Sequence, residues 1–255
     1  MKKRRADALL KKRRADALLV ERGLAVDLAK ARALVLAGAV VAGEHRVDKA
    51  GQLLAPDVTL RVKGRRDHPY ASRGGVKLAH ALDHFEIDPT GRVCIDLGAS
   101  TGGFTDCLLQ RGATRIYAVD VGYGQLDWKL QRDERVVNLE RTHARDLDAA
   151  HVPEPVDMLV ADISFNAIGR ILAPALGLLR DGADLLLLVK PQFELPADAV
   201  GEGGIVRDPD AWDTACRTVA ADVVALGCAV HGVERSPITG ARGNVEFVLW
   251  ATYPS

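Results

Sequence analysis

The sequence predicts an α/β fold: a mostly parallel sheet flanked by helices, with a C-terminal antiparallel strand, preceded by a small α+β domain. Three observations predict it. Apolar, strand-like runs at 93–97, 116–121, 136–139, 158–161 and 185–189 alternate with helical stretches, the pattern of parallel strands joined by crossovers. The last two runs, 229–234 and 245–251, have no helix between them and therefore read as an antiparallel pair. Charge divides the chain as well. Residues 1–66 hold 17 Lys and Arg against 7 Asp and Glu, and the remainder holds 17 against 27, although all 255 residues together are formally neutral.

The composition, 48% hydrophobic and 27% charged, is that of a globular chain. The longest unbroken apolar runs, such as 185–189, are far too short to cross a bilayer. The cations at 11–14 interrupt the only N-terminal apolar stretch that would serve as a signal-peptide core, so a cytoplasmic protein is expected. Cysteines at 94, 107, 216 and 228 show neither metal-ligand spacing nor a disulfide framework; buried, reduced thiols and no metal site are expected. The positive balance of residues 1–66 calls for a polyanionic partner.

The first elements are helical. KKRRADALL fills residues 2–10 and again 11–19. Nine residues turn a helix through about half a revolution, so the two copies would present their leucines on opposite faces and only one can pack. The second copy continues into the fold, and residues 2–10 read as a frayed extra copy. Apolar residues recur at three and four over 13–23 and 27–38, each stretch stopping at a glycine suited to a helix C-cap. Short strands follow at 39–42 and 58–62, with a turn near Gly43. Arg13, Arg14, Lys30, Arg32 and Arg46 are spread through this module. Its text, RRADALLVERGLAVDLAKARALVLAGAVVAGEHRVDKAGQLL, resembles the S-four-type RNA-binding domain. One departure lies at residues 27–29, where that family often opens its second helix with Ser-Arg; a phosphate contact is weakened there. Next comes KGRRDHPYASRGG, rich in Arg, Gly and Pro, which supplies Arg65, Arg66 and Arg73 as further candidate RNA contacts. The expected organisation is a basic domain at 1–66, a linker at 67–76 and a catalytic domain at 77–255.

After the first strand of the larger domain stands DLGASTGGFTDCLL, and Gly98, Ala99, Ser100, Thr101, Gly102, Gly103 and Phe104 form its turn into a helix. Glycines let the backbone approach a ligand closely. The segment lacks the Gly-Lys-Ser/Thr end of a phosphate-binding P-loop and does not match Gly-x-Gly-x-x-Gly, which leaves a nucleoside without a pyrophosphate. Asp120, ending the next strand in YAVDVG, is placed to accept hydrogen bonds from ribose hydroxyls. Asp146 in ARDL either reaches an adenine amine or merely caps a helix. Asp162 and Phe165 in ADISF come at the mouth of the fourth strand, where ligands of open α/β sheets bind.

Four ionisable residues sit where charge is costly: Lys77 in SRGGVKL, Asp162, Lys190 in LLVKPQFE and Glu246 in GNVEFVLW. Lys190 ends an apolar run, so its stem emerges from a buried sheet. Desolvation and a neighbouring cation both favour a neutral amine, the form a general base requires; Lys77 would supply the cation. Glu246, inside an otherwise apolar strand, needs a partner. Taken singly, each is equally well a salt bridge or a strand-end charge. As a set they suit in-line transfer of a sulfonium methyl to a ribose 2′-hydroxyl of RNA, with Lys190 taking the proton.

HPYASRGGVKLAHAL, CIDLGASTGGFTDCLLQRGA, YAVDVGYGQLDWKLQRDERV, ADISF, VKPQFE, GIVRDP and SPITGARGNVEF, which together span most of the chain, resemble the TlyA family of rRNA methyltransferases, also labelled haemolysins. The resemblance implies a Rossmann-like, FtsJ-related fold, S-adenosylmethionine as cofactor, cytidine 2′-O-methylation of ribosomal RNA or ribosomal subunits, and a Lys-Asp-Lys-Glu tetrad at Lys77, Asp162, Lys190 and Glu246. His143 stands where the family more often has Asn, and Glu202 where it often has Lys, which removes a phosphate contact. Alternative readings are a noncatalytic RNA-binding or ribosome-assembly factor, against which the tetrad speaks, and a small-molecule O-methyltransferase, against which the +10 balance of residues 1–66 speaks. Membrane lysis finds no spanning segment. A monomer is expected.

Overall fold

The computed structural model describes residues 12–63, 68–163 and 168–254. The chain divides into two compact units, Met1–Asp67 and His68–Ser255.

In the first unit, β1 (Arg13–Arg14) leads into α1 (Ala15–Glu21), followed by α2 (Leu28–Leu36), β2 (Val40–Ala42), β3 (His45–Arg46), β4 (Leu53–Leu54) and β5 (Leu60–Val62). The strands β3, β2 and β5 form an antiparallel sheet in that order. The helix expected from residue 13 starts two residues later. Arg13 and Arg14 are extended and pair with Leu54 and Leu53; the Ala15 and Asp16 N–H groups then donate to the carbonyls of Gln52 and Ala50, both at 2.9 Å. A distant segment thus holds the chain extended just ahead of the helix and takes up two of its first N–H groups. Leu18 and Leu19, from the second KKRRADALL copy, are buried with Ala31, Val35, Val40 and Val47. Gly23 and Gly38, at φ of 64° and 68°, follow the two helix ends. Residues 2–10, Arg65, Arg66 and Phe165 lie outside the described residues.

The second unit opens with α3 (Gly74–His84), whose first turn occupies part of the stretch expected to be a linker. It continues through β6 (Val93–Leu97), α4 (Gly103–Gln110), β7 (Arg115–Asp120), α5 (Trp128–Gln131), β8 (Val136–Glu140), β9 (Val156–Ala161), α6 (Gly169–Leu176), β10 (Leu179–Val189), α7 (Pro191–Glu194), α8 (Pro209–Ala225), β11 (Ala229–Arg235) and β12 (Phe247–Thr252). These strands make one sheet in the order β11-β12-β10-β9-β6-β7-β8. The neighbours from β10 to β8 run parallel, and β12 is antiparallel to both β10 and β11. The last two runs therefore do pair as expected, with β12 inserted between β10 and β11.

Apolar alternation packs both faces. Cys94, Ile116, Met158, Val160 and Leu186 meet Leu78 of α3 and Leu108 of α4 on one side. Ile95, Val119, Leu159, Leu185 and Leu187 meet Leu172 of α6 and Val219 of α8 on the other. Strands covered on both faces must be apolar nearly throughout, which is why they stand out in the sequence. Each fully buried Leu here contributes about 1.5–3 kcal/mol. β10 begins at Leu179, earlier than its apolar run suggests, and its register against β9 breaks between Leu179 and Asp184. Cys94, Cys107 and Cys228 are buried and all four cysteines are free. Burial pushes the Cys94 and Cys107 thiols up to about 12. Among the described residues no helix is long and apolar enough to cross a membrane.

The architecture gathers the chemistry at one edge. Chain order runs outward from β6 to β7 and β8 on one side and, on the other, from β9 to β10, so the switch of direction falls between β6 and β9. The glycine loop follows β6, Asp120 ends β7, Asp162 follows β9 and Lys190 follows β10. Val189 pairs with Phe247, so Lys190 and Glu246 leave the sheet at neighbouring positions.

Candidate active site

The loop from Gly98 to Gly103 is shaped by contacts that exclude side chains. Gly98 has φ +81°, and a Cβ there would lie 2.7 Å from the Asp162 carbonyl oxygen. Its N–H and that of Ala99 both donate to the Val119 carbonyl, at 2.9 and 3.1 Å. Ser100 occupies left-handed backbone, φ 47°, an uncommon state for a residue with a Cβ and one often found at ligand sites. The Ser100 N–H donates to Asp120 Oδ2 at 2.8 Å, and the Gly122 N–H donates to Oδ1 at 2.7 Å. Two backbone donors thus hold the Asp120 carboxylate beside the loop.

Two cavities adjoin this loop and share Gly98, Ser100 and Asp162 in their walls. The larger, about 510 Å³, is lined by Ala99, Thr101, Gly103 and Phe104 on the loop side and by Lys77, Lys190 and Glu246 opposite. The smaller, about 340 Å³, is lined by Asp120, Gln125, Thr142, His143 and Ile163. Gly102 lines neither; it faces the side chains of Leu126 and Leu130.

The four ionisable residues form two ion pairs in the larger cavity. Lys77, in the first turns of α3, pairs with Glu246 just before β12. Lys190 Nζ lies 2.5 Å from Asp162 Oδ1. Lys77, Lys190 and Glu246 are 8%, 7% and 3% exposed. At such burial each amine needs its carboxylate, since removing one partner leaves an uncompensated charge. Gly240, packed against Glu246, leaves the room its carboxylate occupies. Lys190 also stands 5.9 Å from the centre of the Phe193 ring.

Two further residues of the site escaped the sequence reading. Asp96 is fully buried and lines the larger cavity. Its Oδ2 accepts from the Thr105 N–H at 2.9 Å and the Thr105 hydroxyl at 2.6 Å, while Oδ1 has no partner among the described residues. Burial pushes this carboxyl up to about 7 against the two Thr105 hydrogen bonds, and the charges of Asp162 and Asp120 add to the rise. The available signal was the one used for Glu246, an acidic residue inside an apolar strand. Asn244, 2% exposed, accepts from the Val206 N–H at 2.9 Å and donates to the Gly204 carbonyl at 2.8 Å. It ties the glycine-containing loop that walls the cavity to the segment carrying Glu246.

The remaining expected residues scatter. Asp146 ends a short 3-10 turn, Ala144–Asp146, is exposed and lines neither cavity; His143 of the same segment lines the smaller one. Arg73 lines the larger cavity. In the first unit, Arg13 pairs with Glu21 at 2.9 Å, Arg14 and Arg32 both pair with Asp16, and Arg46 pairs with Asp48 at 3.4 Å. Lys30 is exposed, its backbone N–H bonded to Asp27.

Residues 70–253 match the model of the FtsJ-like methyltransferase family. The chain is 43% identical to the 16S/23S rRNA (cytidine-2′-O)-methyltransferase TlyA of Mycobacterium tuberculosis, over 91% of this chain and 86% of that one. It is 46% identical to YqxC of Bacillus subtilis, provisionally described as an rRNA methyltransferase, over 99% and 87%. A solved structure from Streptococcus thermophilus, provisionally described as a hemolysin, superposes with a TM-score of 0.73 at 38% identity, covering 96% of this chain and 90% of that one. Similarity that runs through nearly the whole of both chains, beyond the sheet and its glycine loop, places this chain in the FtsJ-like methyltransferase family, among its TlyA members.

Proposed function

We propose that the chain methylates the 2′-hydroxyl of a ribose, that of a cytidine, in ribosomal RNA, using S-adenosylmethionine, with residues 1–66 gripping the RNA. The observation that carries this reading is the presence of two lysine–carboxylate pairs, three of their four residues buried, in the same cavity as the glycine loop. The name of the Mycobacterium tuberculosis relative supports the substrate. So does the +10 balance of residues 1–66, which remains +7 without residues 2–10.

The walls fit the cofactor. A charged nucleoside with an amino-acid tail needs acceptors for ribose hydroxyls at one end and an anion for its cationic groups at the other. Asp120 in the smaller cavity suits the first role, and Asp96, which lines the larger cavity and has a buried oxygen without a partner among the described residues, suits the second. Thr142 and His143 would flank the base. When bound, S-adenosylmethionine would supply a methyl group on a sulfonium, whose sulfur would leave as a neutral thioether.

The protein's own part is orientation and proton transfer. A ribose hydroxyl is a very weak acid, but its proton becomes strongly acidic as its oxygen gains a third bond. Lys190 Nζ, as the free amine, takes that proton. Asp162, 2.5 Å away, fixes where the amine points and stabilises the ammonium that results. Lys77, held by Glu246, stands at the same cavity to donate to the ribose oxygens and position them. Each amine is held by its carboxylate, so geometry is set before the substrate arrives. A monomer acting in the cytoplasm, where ribosomal subunits are, completes the reading.

The test incubates wild type and Lys190→Ala with methyl-labelled cofactor and either intact ribosomal subunits or free ribosomal RNA. Wild type is expected to label a ribose 2′-oxygen, and the variant to lose about 10²–10⁴-fold in rate while still binding cofactor. Wild type that labels no RNA, or a variant that labels it equally well, overturns the mechanism.

A further inference from the structure

Asp16 is the one carboxylate of the first unit whose side chain is shut away from water among the described residues; the residue is 0% exposed. A buried charge persists only if it is fully bonded. Its Oδ1 accepts from the Ala17 N–H and from Arg14 Nε, both at 2.9 Å. Its Oδ2 accepts from Arg14 Nη2 at 2.7 Å and from Arg32 Nε at 3.3 Å. The Arg14 hydrogen bonds outweigh burial and hold the carboxyl down at about 2, so it stays ionised at any physiological pH.

The two arginines come from different elements, Arg14 from β1 and Arg32 from α2. Nitrogens of both touch the same oxygen, so they can be no farther apart than those two contacts laid end to end. Two guanidinium groups so close repel each other unless an anion lies between them. Their side chains remain 54% and 59% exposed, against 1% for Asp16. The anion is therefore beneath, and the cationic heads face outward. Arg32 uses only its Nε on Asp16, and among the described residues its Nη groups meet no other acceptor. Three charges sum to a net cation, and Arg14 Nη1 with the two Nη groups of Arg32 are not used on Asp16, donors of the kind a phosphate diester accepts from paired guanidinium groups.

We propose that Asp16 is a positioning residue for RNA: from beneath the surface it clamps Arg14 and Arg32 into a single phosphate-gripping pair. This rests on the reading of residues 1–66 as the RNA grip, and deepens it.

The test compares binding of the full chain to a fluorescein-labelled ribosomal RNA hairpin, by anisotropy across a salt series. Asp16→Asn keeps the shape of the side chain and adds one positive charge to the protein. Charge alone predicts tighter binding and a steeper salt dependence. Loss of the clamp predicts the opposite sign: affinity down about tenfold and a salt slope shallower by about one, with circular dichroism and cofactor binding unchanged. Equal or tighter binding by a folded Asp16→Asn protein overturns the inference. Arg14→Gln, Arg32→Gln and their combination, all at exposed heads, cover the case in which Asp16→Asn does not fold. One working pair predicts that the double variant loses little more than the worse single one; losses that multiply fully overturn the inference. Wild-type binding indifferent to salt would remove the RNA-grip reading itself, whereas salt-dependent wild-type binding with unaffected variants removes only the clamp.

Discussion

Asp96→Asn probes whether the larger cavity is built for a cation. Folding buries the Asp96 carboxyl completely and moves it from 3.8 to about 7. That difference corresponds to about 4 kcal/mol against the ionised form. A cationic ligand seated against the unpartnered Oδ1 favours ionisation, so binding should expel a proton below about pH 7 and become tighter as pH rises. The ionised fraction grows from about a tenth at pH 6 to about nine tenths at pH 8, so affinity for S-adenosylmethionine should rise about tenfold over that interval and then level off. Asparagine, neutral throughout and of the same shape, removes this rise and costs one charge-assisted hydrogen bond, about 1.5–3 kcal/mol at pH 8. Titration calorimetry in buffers of different ionisation heat measures affinity and proton release together. The free ligand's amine titrates identically in both experiments, so the difference between the two proteins reports Asp96 and its coupling to the bound amine. Stability should move in the other direction. The folded value lies above the unfolded one, so the unliganded protein loses stability as pH rises from about 4 to about 7 and keeps the full penalty above that. Unliganded Asp96→Asn should therefore melt higher than wild type near pH 8, with the advantage fading toward pH 4. A variant whose affinity follows the wild-type pH profile would refute the reasoning.

Other substitutions separate the two lysine pairs and the two acidic candidates. Lys77→Met leaves Glu246, 3% exposed, without its cation and should destabilise the protein by about 3–5 kcal/mol; adding Glu246→Gln should recover most of the loss in thermal melts. Asp120→Asn should weaken cofactor binding by about tenfold or more, because the carboxylate bonded to Ser100 and Gly122 lines the smaller cavity. Asp146→Asn, at an exposed position lining neither cavity, should leave the same calorimetric affinity unchanged.

Local physics made much of this molecule readable. Parallel strands sandwiched between helices must be apolar at nearly every position, so β6, β7, β9 and the end of β10 show as runs in the sequence. A lysine or carboxylate interrupting such a run is costly enough to demand a reason, and that cost singles out Lys190 and Glu246 from their neighbours in the chain alone. The loop after β6 announced itself through glycines, one of which sits where a Cβ would strike the Asp162 carbonyl. What could not be read were relations between segments far apart in the chain. The extended state of Arg13 and Arg14 depends on Leu53 and Leu54, some forty residues later. The partner of each lysine depends on β12 entering between β10 and β11, which brings Glu246 to Lys77 across 169 positions and leaves Asp162 to Lys190. Asp146 and His143 differ by three positions, and only the short turn between them decides which one lines a cavity. Hydrophobic period, capping and backbone freedom act over a few residues, so the sequence by itself determined the fold class, the order of elements and the residue types able to do chemistry. Strand order, register and the identity of each buried charge's partner come from long-range packing, and those only the tertiary structure decided.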